Sequence, residues 1–124
     1  MKIQQFEEIE AWKLGCELTQ LVYEVTGTES FRRDYGLTDQ IRRASGSIMH
    51  NIAEGFDGGS NKEFIRFLRY SQRSCSEVQS ELYVALDQQY ITSATFQEIY
   101  DLASQAHSKI GGFIACLIKS ERIR

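Results

Sequence analysis

The chain of 124 residues contains no proline. Proline removes a backbone donor and clashes with the preceding turn, so its absence leaves every segment open to helix. Cysteine is scarce: Cys16, Cys75 and Cys116 are far apart, odd in number and form no Cys-x-x-Cys pair. That excludes a disulfide framework and a zinc site. The three thiols are expected to be small core residues in a reducing compartment. The two histidines, His50 and His107, follow Ser47 and Ser104 at the i−3 position. The Glu-x-x-His pairs of a di-iron bundle are therefore missing. A cluster of Glu54, Glu77 and Glu81 would sooner pair with nearby arginines than hold a metal, so no metal or cofactor is expected.

Long apolar runs are also missing. The longest, Ile110 to Ile118, has nine residues including two glycines. A membrane span requires roughly 20. The start turns acidic at once, unlike a secretory leader. These features predict a soluble, cytoplasmic protein with no membrane partner. No Gly-x-Ser-x-Gly elbow is present. The glycine-rich stretch 55–61 lacks the Gly-Lys-Ser/Thr ending of a phosphate loop, so it reads as a plain helix connection. The expectation is a protein that is not an enzyme and has no small-molecule substrate.

Charge of one sign does not dominate. The net charge is −3, whereas dedicated nucleic-acid binders are usually strongly basic. The charge is unevenly placed, however. Residues 31–73 carry eight Lys/Arg against five acids, while residues 1–30 carry two against six and residues 74–118 one against five. A local basic zone remains.

What is present is helical periodicity. Leu14, Leu18, Leu21 and Val25 form one stripe, widened by Trp12, Cys16 and Tyr23. Leu37, Ile41, Ala44, Ile48 and Ile52 form a second. Phe64, Leu68, Ser71, Cys75, Val78, Leu82 and Ala85 form a third, and Phe96, Ile99, Ala103, Ala106, Ile110, Phe113 and Leu117 a fourth. Spacings of three and four direct one face of each helix at its neighbours. No stretch alternates with a period of two, so no sheet is predicted. Gly55 is placed to cap the second helix. Ser60 and Glu63 make a capping box for the third, and Thr92 caps the fourth with Ile91 and Phe96 as a staple. Short connections make consecutive helices antiparallel. The prediction is an all-α, antiparallel up-down-up-down four-helix bundle. It forms a single domain over residues 1–124, with helices at about 9–26, 35–55, 61–89 and 93–119.

Several segments are also familiar as a set. They are Phe6-Glu7-Glu8-Ile9-Glu10-Ala11-Trp12-Lys13; Tyr35-Gly36-Leu37-Thr38-Asp39-Gln40-Ile41-Arg42-Arg43-Ala44; Ser47-Ile48; Asn51-Ile52-Ala53-Glu54-Gly55; and Phe64-Ile65-Arg66-Phe67-Leu68 with Ser74 and Glu77. On these residues the chain resembles, from about Phe6 to Lys119, the small four-helix-bundle proteins encoded by intervening sequences in bacterial 23S ribosomal RNA genes. Members often carry prolines after the first helix and before the Asn-Ile-Ala-Glu-Gly run, and this chain has neither. The resemblance implies a homopentamer with no catalytic activity. It also implies similarity to the accessory protein of diversity-generating retroelements, a basic pentamer that binds a reverse transcriptase and nucleic acid.

Two residue sets are candidates for function. Gln40, Arg43, Asn51, Glu54, Arg73 and Glu77, with Ser47, recur beside the apolar stripes and are expected to form a partly buried polar network fixing helix register. Arg42, Arg43, Lys62, Arg66 and Arg69 are the candidate RNA or DNA contacts, against the plainer reading of a solvated face with local ion pairs. Off-stripe residues Tyr23, Ile65, Tyr70, Tyr83, Tyr100, Ile114 and Ile118 suggest subunit contacts. The leading expectation is a non-enzymatic oligomeric scaffold, with an RNA- or DNA-binding accessory factor, linked to rRNA or a reverse transcriptase, as the alternative. A further protein partner is also open.

Overall fold

The computed structural model describes residues 3–123, with side chains described to Ser120. A 3-10 turn at Phe6–Glu8 leads into α1 (Glu10–Thr26). There follow a one-turn α2 (Glu29–Arg32), then α3 (Tyr35–Asp57), α4 (Asn61–Asp87) and α5 (Ser93–Ile123). No strand occurs among the described residues. The four long helices form the up-down-up-down bundle: α1 packs on α3 and α5, α3 on α4, and α4 on α5. The core runs through Leu18, Val22, Ile41, Ile48, Ile52, Leu68, Val78, Leu82, Ile99 and Ile110, all fully buried. Each such side chain contributes roughly 1.5–3 kcal/mol by leaving water.

The buried face of α1 is rotated from the expected stripe. Ala11, Gly15, Leu18, Val22 and Thr26 are buried, while Leu14, Leu21 and Val25 are only half-buried at its flank. Small residues decide this. A Cβ on Gly15 would lie 3.2 Å from the Ile48 side chain, so the glycine sets how closely α1 and α3 approach. Of the three cysteines only Cys75 is buried; Cys16 is half-buried and Cys116 exposed. Burial pushes the Cys75 thiol up to about 12, which leaves it without thiolate reactivity. Cys116 is not a core residue because α5 presents that position to an open cleft beside α1.

The helix ends also differ from expectation. Gly55 does not cap α3, which continues to Asp57. The turn instead uses Gly58, and Gly59 at φ +91°, a conformation glycine adopts without strain. Ser60 accepts from the Glu63 amide at 3.1 Å, but Glu63 pairs with Arg66 rather than closing the capping box. Thr92 caps α5, accepting from the Thr95 amide at 3.1 Å. The third long helix stops at Asp87, two residues early, in a Schellman motif. Gln89 sits at φ +62°, and Gln89 and Tyr90 donate to the Leu86 and Ala85 carbonyls.

Candidate functional site

The α3–α4 seam is built from serines. In the buried interior the Ser71 hydroxyl donates to the Ile48 carbonyl at 2.8 Å. On its edge Ser74 and Ser47 hydroxyls meet at 3.1 Å, and the Asn51 amide donates to both the Ser47 hydroxyl and carbonyl at 2.8 Å. Short hydroxyls let two antiparallel helices close up while satisfying buried polar atoms. Near the turn Gly55 continues the close approach: a Cβ there would fall 2.8 Å from Phe67 Cβ.

The six residues expected to share a polar network are not brought together. Asn51 joins Ser47 and Ser74. Arg43 pairs with Asp39 at 3.0 Å on its own helix, and Arg73 lies 5.8 Å from the Tyr70 ring centre. Gln40, Glu54 and Glu77 are exposed. The physical reason is reach: the close seam admits serine, and the longer charged chains fan outward into water.

Glu81, expected with Glu54 and Glu77 to pair with nearby arginines, has no basic partner within 4 Å among the described residues. It is half-buried, and its Oε1 is enclosed with no hydrogen-bond donor among the described residues. Burial, and secondarily the Glu77 charge, raise its carboxyl from 4.5 to about 7. The folded state thus favours the protonated form. Its contribution to stability is fully present below pH 4.5 and is lost as pH rises through 7. After discounting for partial exposure, the loss is about 1–2 kcal/mol. Glu81→Gln, which removes the charge, is expected to raise the thermal midpoint at pH 8 and to leave it little changed at pH 4.5. Parallel melting curves for the two proteins at both pH values would show it, and equal shifts at both would refute it.

The basic zone is largely spent within the fold. Arg42 donates to the Thr26 hydroxyl at 2.8 Å and lies 4.4 Å from the Tyr23 ring centre, fastening the end of α1 to α3. Arg32 and Arg33 share Glu29. Arg66 pairs with Glu63 and donates to the Tyr70 hydroxyl at 3.1 Å. Of the candidate contacts Arg42, Arg43, Lys62, Arg66 and Arg69, only Lys62 and Arg69 are exposed with no acid within 4 Å among the described residues.

Apolar surface is left open elsewhere. A cleft of about 1040 Å³ between α1 and α5 is floored by Ala11, Leu14, Gly112 and Phe113 and edged by Glu10 and Lys109. Among the off-stripe residues, Ile114 is buried, Ile65, Tyr70, Tyr100 and Ile118 are half-buried, and Tyr23 and Tyr83 are exposed. Tyr83 stands against Phe96 and Tyr100, with ring centres at 4.9 and 6.0 Å. No group of three or more His, Cys, Asp or Glu side chains is placed to hold a metal ion among the described residues. No described helix is long and apolar enough to cross a membrane.

Four antiparallel helices around one core, with a serine-lined seam between α3 and α4, define a small four-helix-bundle protein. The family model for the 23S rRNA-intervening sequence protein matches residues 7–112, and the chain belongs to that family. No curated protein matches it. A solved structure from Bacteroides thetaiotaomicron, a protein of unknown function from the S23 ribosomal protein family, superposes with a TM-score of 0.76 at 20% identity. The match covers 84% of this chain and 97% of that one. At this identity the likeness is one of fold.

Proposed function

We propose that the protein is a non-catalytic assembly protein of the cytoplasm that works as a homo-oligomer, a pentamer as its family resemblance implies. The observation that carries the reading is the open α1–α5 cleft with its apolar floor. Exposed Tyr83 and Val84 add apolar surface near the far end of α4. Apolar patches of this kind mark protein contacts. The arginines, meanwhile, are mostly held by acids of their own helices, which leaves few charges for anything else. Light scattering on the purified protein tests the reading. A mass five times that of the chain, reduced by Leu14→Glu in the cleft, is expected; a monomer at all concentrations would end it.

A second reading has its own support on α4. Arg66 lies 5.1 and 5.7 Å from the ring centres of Phe67 and Tyr70, and Arg73 caps the same tyrosine. With Lys62 one turn away, the helix interleaves cations and aromatics as RNA- or DNA-binding accessory factors of rRNA or of a reverse transcriptase would. Five copies in an oligomer would offset a weak single site. Binding that is tight at about 50 mM salt, collapses at about 200 mM, and weakens in Arg66→Glu would put this reading first.

A further inference from the structure

The cations of α3 and α4 do not all share one fate. Arg43 and Arg66 are neutralised by acids one turn away. Arg69 and Arg73, four residues apart and so on one face of α4, have no acid within 4 Å among the described residues. They line a recess of about 270 Å³ together with Gln72, Ser76 and, from across the groove, His107 of α5.

The lining of the recess carries no acid, and Glu77, one turn beyond Arg73, makes no ion pair with it within 4 Å. Residues 64–76 hold three arginines and no acid, and residues 102–120 hold His107, Lys109, Lys119 and no acid. The fold sets these two stretches against each other. The Gln72 amide donates to the His107 carbonyl at 3.3 Å, which fixes α4 against α5 at this level. Gly111 is part of the arrangement, since a Cβ there would lie 3.2 Å from the Gln72 amide nitrogen. Arg73 is steadied at the rim by the Tyr70 ring. In a chain of net charge −3, two unneutralised guanidiniums, an imidazole and a hydroxyl thus converge on one recess.

We infer that this α4–α5 recess binds a phosphate group, of a phosphomonoester or a phosphodiester. Guanidinium forks match phosphate oxygens in geometry and charge. Ser76 supplies a hydroxyl donor, and His107 adds a ring N–H. Like charges held together without a counter-ion repel, and a bound anion relieves that repulsion. The recess shares Arg73 with the cation–aromatic ladder of α4 but not Arg66, which Glu63 already occupies, and it does not depend on the assembly reading.

The test uses the intact protein and two probes. Inorganic phosphate is titrated while the His107 ring resonances are followed by NMR, with chloride at equal ionic strength as the control. A labelled single-stranded RNA oligonucleotide is titrated by fluorescence anisotropy at about 50 and 200 mM salt, where phosphate contacts lose most affinity. Arg69→Gln with Arg73→Gln is expected to weaken binding about tenfold or more. For RNA it should also flatten the salt dependence by about 1.4 in log–log slope, roughly 0.7 per lost contact. Lys109→Gln, on the opposite flank of α5 at the other cleft, is expected to change neither. Saturable shifts with phosphate itself would assign a free phosphate or phosphomonoester. RNA binding that phosphate does not compete away would assign a phosphodiester backbone. Failure of both probes to bind the wild type would overturn the inference. So would a double variant, folded by circular dichroism, that binds like the wild type.

Discussion

Phe31→Ala is expected to destabilise the protein by about 3–5 kcal/mol, the range for emptying a buried aromatic site. Phe31 is fully buried although it belongs to α2, a helix of four residues. A single turn has no stability of its own, because helix nucleation is costly. The turn exists because the ring anchors it. Phe31 packs on Tyr90 at 5.2 Å between ring centres, and its carbonyl accepts from the Thr38 hydroxyl and the Asp34 amide. Tyr90 in turn donates to the Asp34 carboxylate at 3.1 Å, and the other oxygen of that carboxylate caps α3 through the Leu37 amide. One ring therefore ties the α1–α3 connection to the α4–α5 connection and closes that end of the bundle. Urea denaturation measures the loss. Tyr90→Phe, which keeps the ring stack and deletes one hydrogen bond, is expected to cost only about 1 kcal/mol. A comparable loss from both variants would mean that the hydrogen bond, not the buried ring, holds the end together.

α2 also shows where reading the sequence runs out. Its four residues, Glu29 to Arg32, offer one apolar side chain and hence no period to detect. The long helices were legible because three-four spacing repeats over many turns; in α4 every stripe residue from Phe64 to Ala85 is buried. Ser71 was legible as a stripe member, but its bond to the Ile48 carbonyl needed the α3–α4 register. The polar set on α3 and α4 was read with correct spacing, yet spacing cannot say how close two helices come. That closeness admits serine and turns Glu54 and Glu77 outward. The Arg69–Arg73–His107 recess was hidden for the same reason: His107 is more than thirty residues from either arginine, and only the packed bundle brings it across. Glu81 was legible only as one acid of a cluster expected to form ion pairs, since its enclosure without a partner is a property of the neighbouring helices.

Gly55→Ala sets helix propensity against close packing, and packing is expected to win. Inside a helix alanine is favoured over glycine by about 1 kcal/mol, so with free space around it Gly55 would gain from the change. The fold places it inside α3, buried, where the new methyl would sit 2.8 Å from Phe67 Cβ and 2.9 Å from the Phe64 ring. Phe67 Cβ is fixed to the α4 backbone and cannot swing aside, so the helices must separate. Overpacking of this kind costs about 1–3 kcal/mol and outweighs the propensity gain. Gly55→Val, with more bulk and a stiffer side chain, is expected to cost more still. Gly112→Ala supplies the contrast: α5 is helical there and nothing lies within 4 Å of the added carbon, so up to about 1 kcal/mol of stabilisation is expected. Chemical denaturation of the three variants shows which effect wins. Opposite signs for Gly55→Ala and Gly112→Ala would place Gly55 as the close-contact point of α3 and α4. A stabilised Gly55→Ala would show that the two helices can part there without loss, and the seam would then rest on Ser71, Ser74 and Ser47 alone.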